Sequence, residues 1–88
     1  MKEFKLSIST PEKTIFDGKV VSLVAPAENG YLGILADHAG LIASLKYGNI
    51  IIRKNSGEAV KITLSGKGFL EVDKNEATIL LTTGKYKE

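Results

Sequence analysis

Hydrophobic and polar side chains alternate one for one in several short stretches of this chain. Phe4, Leu6 and Ile8 take turns with Lys5, Ser7 and Ser9, and Val60, Ile62 and Leu64 take turns with Lys61, Thr63 and Ser65. A period of two places one set on a buried face and the other in water, which predicts strands. β-Branched residues dominate Val20 to Val24, Asn49 to Arg53 and Ala77 to Thr83, three further strand candidates. Phe69 to Val72 is read as strand as well. The alternation predicts a core that includes Phe4, Leu6, Ile8, Phe16, Val21, Leu23, Ile34, Ile52, Ile62, Leu64, Leu70 and Ile79.

Turn chemistry separates these stretches at short intervals: Thr10-Pro11, Asp17-Gly18, Asn29-Gly30, Tyr47-Gly48, Asn55-Ser56-Gly57, Gly66-Lys67-Gly68 and Asp73 to Asn75. Many short strands joined by tight turns predict an all-β fold, a β-sandwich of two mostly antiparallel sheets with about eight to ten strands. One segment competes, because Leu35, Ala39, Ile42 and Lys46 fall on a helical stripe behind a possible N-cap at Asp37. Gly40 in its middle costs about 1 kcal/mol and ten residues are marginal for a helix. Ala43 to Leu45 reads equally well as a short strand entering the Tyr47-Gly48 turn, so no helix is expected.

Size and charge narrow the function. With 88 residues the chain has room for one domain, 1–88, which buries only about 60–65% of its unfolded surface. Twelve basic and ten acidic residues are spread evenly, with Lys85 and Lys87 the nearest approach to a cluster. A nucleic-acid track needs a concentrated basic stripe, so nucleic acid is not an expected partner. Cysteine is absent, which removes disulfides, thiolate metal sites and thiol nucleophiles. Apolar runs such as Ile50 to Ile52 and Ile79 to Leu81 fall far below the roughly 20 residues a membrane helix needs, so direct membrane insertion is not expected. The polar Met1-Lys2-Glu3 start does not resemble a signal peptide.

Candidate chemistry is thin. His38 is the single histidine and has no suitably spaced carboxylates, so it fits a loop residue bonded to a backbone carbonyl or touching a partner better than a metal ligand or general base. Ser44 and Ser65 lie in no nucleophile motif, and Asp17, Asp37 and Asp73 sit where turns ordinarily use Asp. Gly66-Lys67-Gly68 is followed by strand residues and not by the helix a phosphate loop requires, so it is read as a hairpin turn. Val72-Asp73-Lys74 admits a rival reading, since lipoyl and biotinyl carrier domains are small all-β folds presenting a modified lysine beside an aspartate. Lys74 lies fourteen residues from the end, away from the mid-chain position that a carrier lysine takes. No catalytic residue, metal, cofactor or small-molecule substrate is expected.

The segment from Glu28 to Gly48 is specific. Gly30, Leu32, Gly33, Ile34, His38, Ala39 and Leu41 match a G-x-L-G-I-x-x-x-H-A-x-L pattern, with Gly48 closing the turn that follows. Thr10-Pro11-Glu12-Lys13, Phe16-Asp17-Gly18, Leu64-Ser65-Gly66 and Gly68-Phe69-Leu70-Glu71-Val72 fall in the same order and spacing. In these residues the chain resembles the epsilon subunit of F-type ATP synthase, over nearly its whole length. Where that family commonly has proline, this chain has Gly40 and Tyr47, which leaves both loops freer. Most members continue into a two-helix hairpin, so the resemblance implies either a naturally short subunit or a truncated one.

The resemblance implies a non-catalytic central-stalk subunit of the rotor, an accessory to ATP synthesis that couples proton transport to it by docking on the gamma subunit and the membrane c-ring. It also implies a peripheral location on the cytoplasmic face of the bacterial inner membrane, or on an equivalent energy-transducing membrane. By the same resemblance the loop of Glu28, Asn29, Gly30, Tyr31, Leu32 and Gly33 faces the c-ring, with Tyr31 as an amphipathic anchor. The loop of Asp37, His38, Ala39, Gly40 and Leu41 faces gamma. Plain turn chemistry at Asn29-Gly30 and a relaxed bend at Gly40 remain the alternative for both loops.

Overall fold

The computed structural model describes residues 1–82 and 86–87, and every regular element among them is a strand. Ten strands run in chain order: β1 (Phe4–Ser9), β2 (Thr14–Val20), β3 (Ser22–Ala27), β4 (Gly30–Leu35), β5 (Leu41–Leu45), β6 (Gly48–Arg53), β7 (Ala59–Leu64), β8 (Gly68–Asp73), β9 (Glu76–Leu81) and β10 (Tyr86–Lys87). No helix replaces the 37–46 segment, where β5 takes its place as the Gly40 argument predicts. The end of the Ala77 to Thr83 candidate, Thr83, and the Lys85 side of the terminal basic pair lie outside the described residues.

The strands form two layers of one curled sheet. One layer runs β4-β3-β6-β7-β10 and the other β5-β8-β9-β1-β2. β3 joins them, because its first half pairs with β6 while its last residue, Ala27, pairs with Leu45 of β5. Among the described residues all pairings are antiparallel except β1 with β9. The expected sandwich of mostly antiparallel sheets is therefore present, closed at the β3–β5 corner.

Inward-facing positions of both layers build one core. Leu6, Ile8, Leu23, Ile34, Ile52, Ile62, Leu64, Leu70 and Ile79 are fully buried as the alternation requires, with Phe4 and Val21 nearly so. Phe16 is the exception, half-buried against the core from edge strand β2. The core also takes in Val20, Ala25, Leu45, Ile50, Val72, Ala77 and Leu81.

Three local expectations fail for reasons of tertiary context. Gly66-Lys67-Gly68 is no hairpin turn, since β7 pairs with β6 and β10 while β8 pairs with β5 and β9, so this connection crosses from one layer to the other. Asp17-Gly18 is no turn, since Ser7 and Leu6 of β1 pair with them and carry β2 straight through. Its turn propensity yields to a ladder along a neighbouring strand. Val20 to Val24 is not one strand: β2 ends at Val20 and β3 begins at Ser22. Val21 carries the chain from one layer to the other and donates its N–H to the Arg53 carbonyl at 2.8 Å. The change of layer explains why Val20 and Val21 are both buried despite being consecutive.

Candidate functional site

The connections gather at two opposite ends of the sandwich. At one end lie the Glu28-Asn29 turn, the Lys46-Tyr47 turn and the Ser65 to Lys67 connection. Backbone bonds tie them down: Glu28 N–H to Ser44 O at 3.1 Å, Lys46 N–H to Pro26 O at 2.9 Å and Thr82 N–H to Lys67 O at 3.0 Å. At the other end lie the 36–40 connection, the Lys74-Asn75 turn and the residues before β1. β4 spans the distance between them, and six extended residues cover about 17 Å. The two loops singled out from the sequence are thus separated by the length of the sandwich.

At the first end, Glu28, Asn29, Gly30, Tyr31 and Gly33 are exposed, while Leu32 is half-buried and packs on the core. The hairpin turn is Glu28-Asn29, one residue earlier than the Asn29-Gly30 pair suggests, because Gly30 already pairs with Ala27. Tyr31 is 62% exposed, yet its hydroxyl accepts the Asn49 N–H at 3.3 Å. Lys46 and Tyr47, which the sequence did not mark as contact residues, stand beside this turn, with Lys46 Nζ 5.9 Å from the Tyr47 ring centroid, within cation–π range. A cleft of about 510 Å³ opens next to them, lined by Glu28, Lys46, Lys67 and Phe69 among others. The signs of Tyr47 in the sequence are an aromatic residue in a turn and its place where the resembled family commonly has proline.

At the second end, Asp37 adopts φ 64°, a left-handed conformation that Asp tolerates. It is held from two directions. Asn75 accepts the Asp37 N–H with its side-chain oxygen and donates its Nδ2 to Asp37 Oδ1 at 3.0 Å, and Lys2 Nζ donates to both carboxylate oxygens at 2.8 and 2.9 Å. Hydrogen bonds from Lys2 first, and from Asn75 second, hold the Asp37 carboxyl below its ordinary pKa of 3.8. Asn75 sits in a two-residue hairpin with Lys74 at φ 60° and 48°, the geometry of a type I′ turn.

His38 Nδ1 lies 2.7 Å from the Ala39 carbonyl oxygen, placing it as an Nδ1–H donor to the backbone. Ala39 and Gly40 are exposed, and Leu41 begins β5 opposite Val72 with its side chain against the core. Among the described residues no three His, Asp or Glu side chains converge as a metal site would need, and no helix is long and apolar enough to cross a membrane.

Residues 3–85 match the family described as the ATP synthase delta/epsilon chain β-sandwich domain. The chain belongs to that family. Similar curated proteins are ATP synthase epsilon chains. That of Natranaerobius thermophilus is 40% identical over 96% of this chain and 60% of its own length, and that of Dichelobacter nodosus 46% over 88% and 53%. The chain thus spans between half and two thirds of these relatives. Among solved structures, a chain of the Euglena gracilis mitochondrial ATP synthase assembly containing OSCP, F1 and the c-ring superposes with a TM-score of 0.85 at 19% identity, covering 92% of this chain and 51% of that one. A chain of the Tetrahymena thermophila central stalk and c-ring gives 0.77 at 18% identity, covering 99% and 67%. At these identities the likeness is one of fold. For a delta/epsilon sandwich domain, an exposed Lys74 in the β8–β9 turn is an ordinary hairpin lysine, and the carrier reading has no support.

Proposed function

We propose that residues 1–88 work as the sandwich domain of an epsilon-type stalk subunit, a non-catalytic part of a rotary ATP synthase. It holds gamma through the 37–41 end and the c-ring through the 28–33 end, and so couples proton transport to ATP synthesis. The observation that carries this reading is the placement of the two loops at opposite ends of one hydrogen-bonded sandwich. A stalk part must grip two neighbours at once and pass torque between them. Strand ladders running the length of β4 and its neighbours provide the stiffness for that. Family membership supports the same reading, as does the likeness of fold to chains in stalk and c-ring assemblies. The location that follows is peripheral, on the cytoplasmic face of the energy-transducing membrane.

Tyr31→Asp tests the assignment of ends. The substitution places a charge where an aromatic contact is proposed, so binding to c-ring in nanodiscs falls by at least tenfold, a loss ordinary for an aromatic anchor. Capture by isolated gamma is unchanged. Equal loss to both partners, or none to either, would sink the assignment.

A further inference from the structure

The Tyr31 ring is exposed but not free. Its hydroxyl reaches past Pro26, its cross-strand partner in the β3–β4 ladder, to the N–H of Asn49 at the start of β6. That path is open because position 48 has no side chain. A Cβ on Gly48 would lie 2.7 Å from Pro26 Cβ, 3.1 Å from Pro26 Cγ and 2.9 Å from the Tyr31 hydroxyl oxygen. Pro26 is buried and its ring is rigid, so it cannot turn aside. Gly48 also has φ +148°, which other residues rarely adopt.

We propose that Gly48 and the Asn49 N–H are positioning elements that aim the Tyr31 ring outward from the sandwich end in a single orientation. The proposal rests on the docking reading of the 28–33 loop and deepens it. An aromatic side chain already fixed before contact loses less rotamer freedom on binding, and affinity gains from that pre-organisation. The arrangement also brings the 28–33 loop and the Lys46-Tyr47-Gly48 turn together as one surface, with Tyr31 and Tyr47 exposed on it.

The experiment uses Gly48→Ala, Tyr31→Phe and the double variant, with 3-fluorotyrosine placed at position 31 for the wild-type and Gly48→Ala chains. In Gly48→Ala the fluorine resonance shifts, and affinity for c-ring in nanodiscs falls about two- to tenfold, the usual range for a lost hydrogen bond. In Tyr31→Phe the Asn49 amide exchanges faster by a similar factor, and c-ring affinity falls likewise. The double variant binds no more weakly than the worse single one, since both act through the same hydroxyl contact. A folded Gly48→Ala chain with an unmoved resonance, or losses that add, overturns the proposal. Should Gly48→Ala fail to fold, an unchanged Asn49 exchange rate in Tyr31→Phe overturns it equally. If Tyr31→Asp leaves c-ring binding intact, the docking reading falls, while the resonance and the exchange rate still decide whether Gly48 positions Tyr31.

Discussion

Two glycines in strands are expected to respond to alanine with opposite signs. Gly68 opens β8, is buried, and faces Leu45 on one side and Leu81 on the other. A Cβ there would lie 2.7 Å from the Leu80 carbonyl oxygen, 3.0 Å from Leu81 Cδ2 and 3.5 Å from Leu81 Cα. The nearest obstacle is backbone of the paired strand, so relief means displacing β9 from its ladder. Such overpacking costs about 1–3 kcal/mol. The narrower unfolded ensemble of alanine returns roughly 0.4–1 kcal/mol, leaving a net loss of about 1.5 kcal/mol. That is a large share of the roughly 4–13 kcal/mol a domain of this size holds, and it lowers Tm by about 6–12 °C. Gly18 lies in edge strand β2 with nothing nearer to its would-be Cβ than two Phe16 ring carbons at 3.9 Å. Gly18→Ala keeps the entropic gain without the clash and stabilises by about 0.4–1 kcal/mol. Guanidinium unfolding followed by far-UV circular dichroism measures both at unchanged m-value. A Gly68→Ala chain as stable as the parent, or a Gly18→Ala chain destabilised to the same extent, would refute the close-approach argument.

Ile62 is 1% exposed and directly opposite Ile50 in the β6–β7 ladder, so Ile62→Ala should lose about 2–5 kcal/mol in the same denaturation assay, and a loss below about 0.5 kcal/mol would contradict its burial. The lowered pKa of Asp37 sets a pH dependence: its stabilisation is fully present above the ordinary value of 3.8 and is lost as pH falls through the lower folded-state value. Carboxyl carbon NMR titration should show the Asp37 midpoint below 3.8 in the parent and raised towards it in Lys2→Ala, the larger effect, and in Asn75→Ala, the smaller; a midpoint indifferent to both substitutions would deny the clip any electrostatic role.

The strands with regular alternation are legible in the residue pattern alone. β1 and β7 follow that pattern almost residue for residue, β8 departs from it at the half-exposed Phe69, and β5 stands where the cost of Gly40 argues against a helix. His38 as a loop histidine on a backbone carbonyl is legible too, because an isolated histidine lacks the partners that catalysis or metal binding demands. β4 is harder to see. Gly30 and Gly33 interrupt its pattern, and only pairing along the whole of β3 makes it a strand.

What the sequence determined by itself is whatever depends on spacing of a few residues: which side chains face inward along the alternating strands, and the family motif from Gly30 to Leu41. Tertiary structure decided everything that depends on where strands meet. It divided Val20 to Val24 between two layers, and it drew Lys2, Asp37 and Asn75 into one clip across separations of 35 and 38 residues. It also set Tyr31 against Gly48 and Asn49 and placed the two candidate loops at opposite ends. The reason is that a period of two fixes the face a side chain takes on its own strand and says nothing about register or neighbour, which are chosen by the packing of all the strands at once.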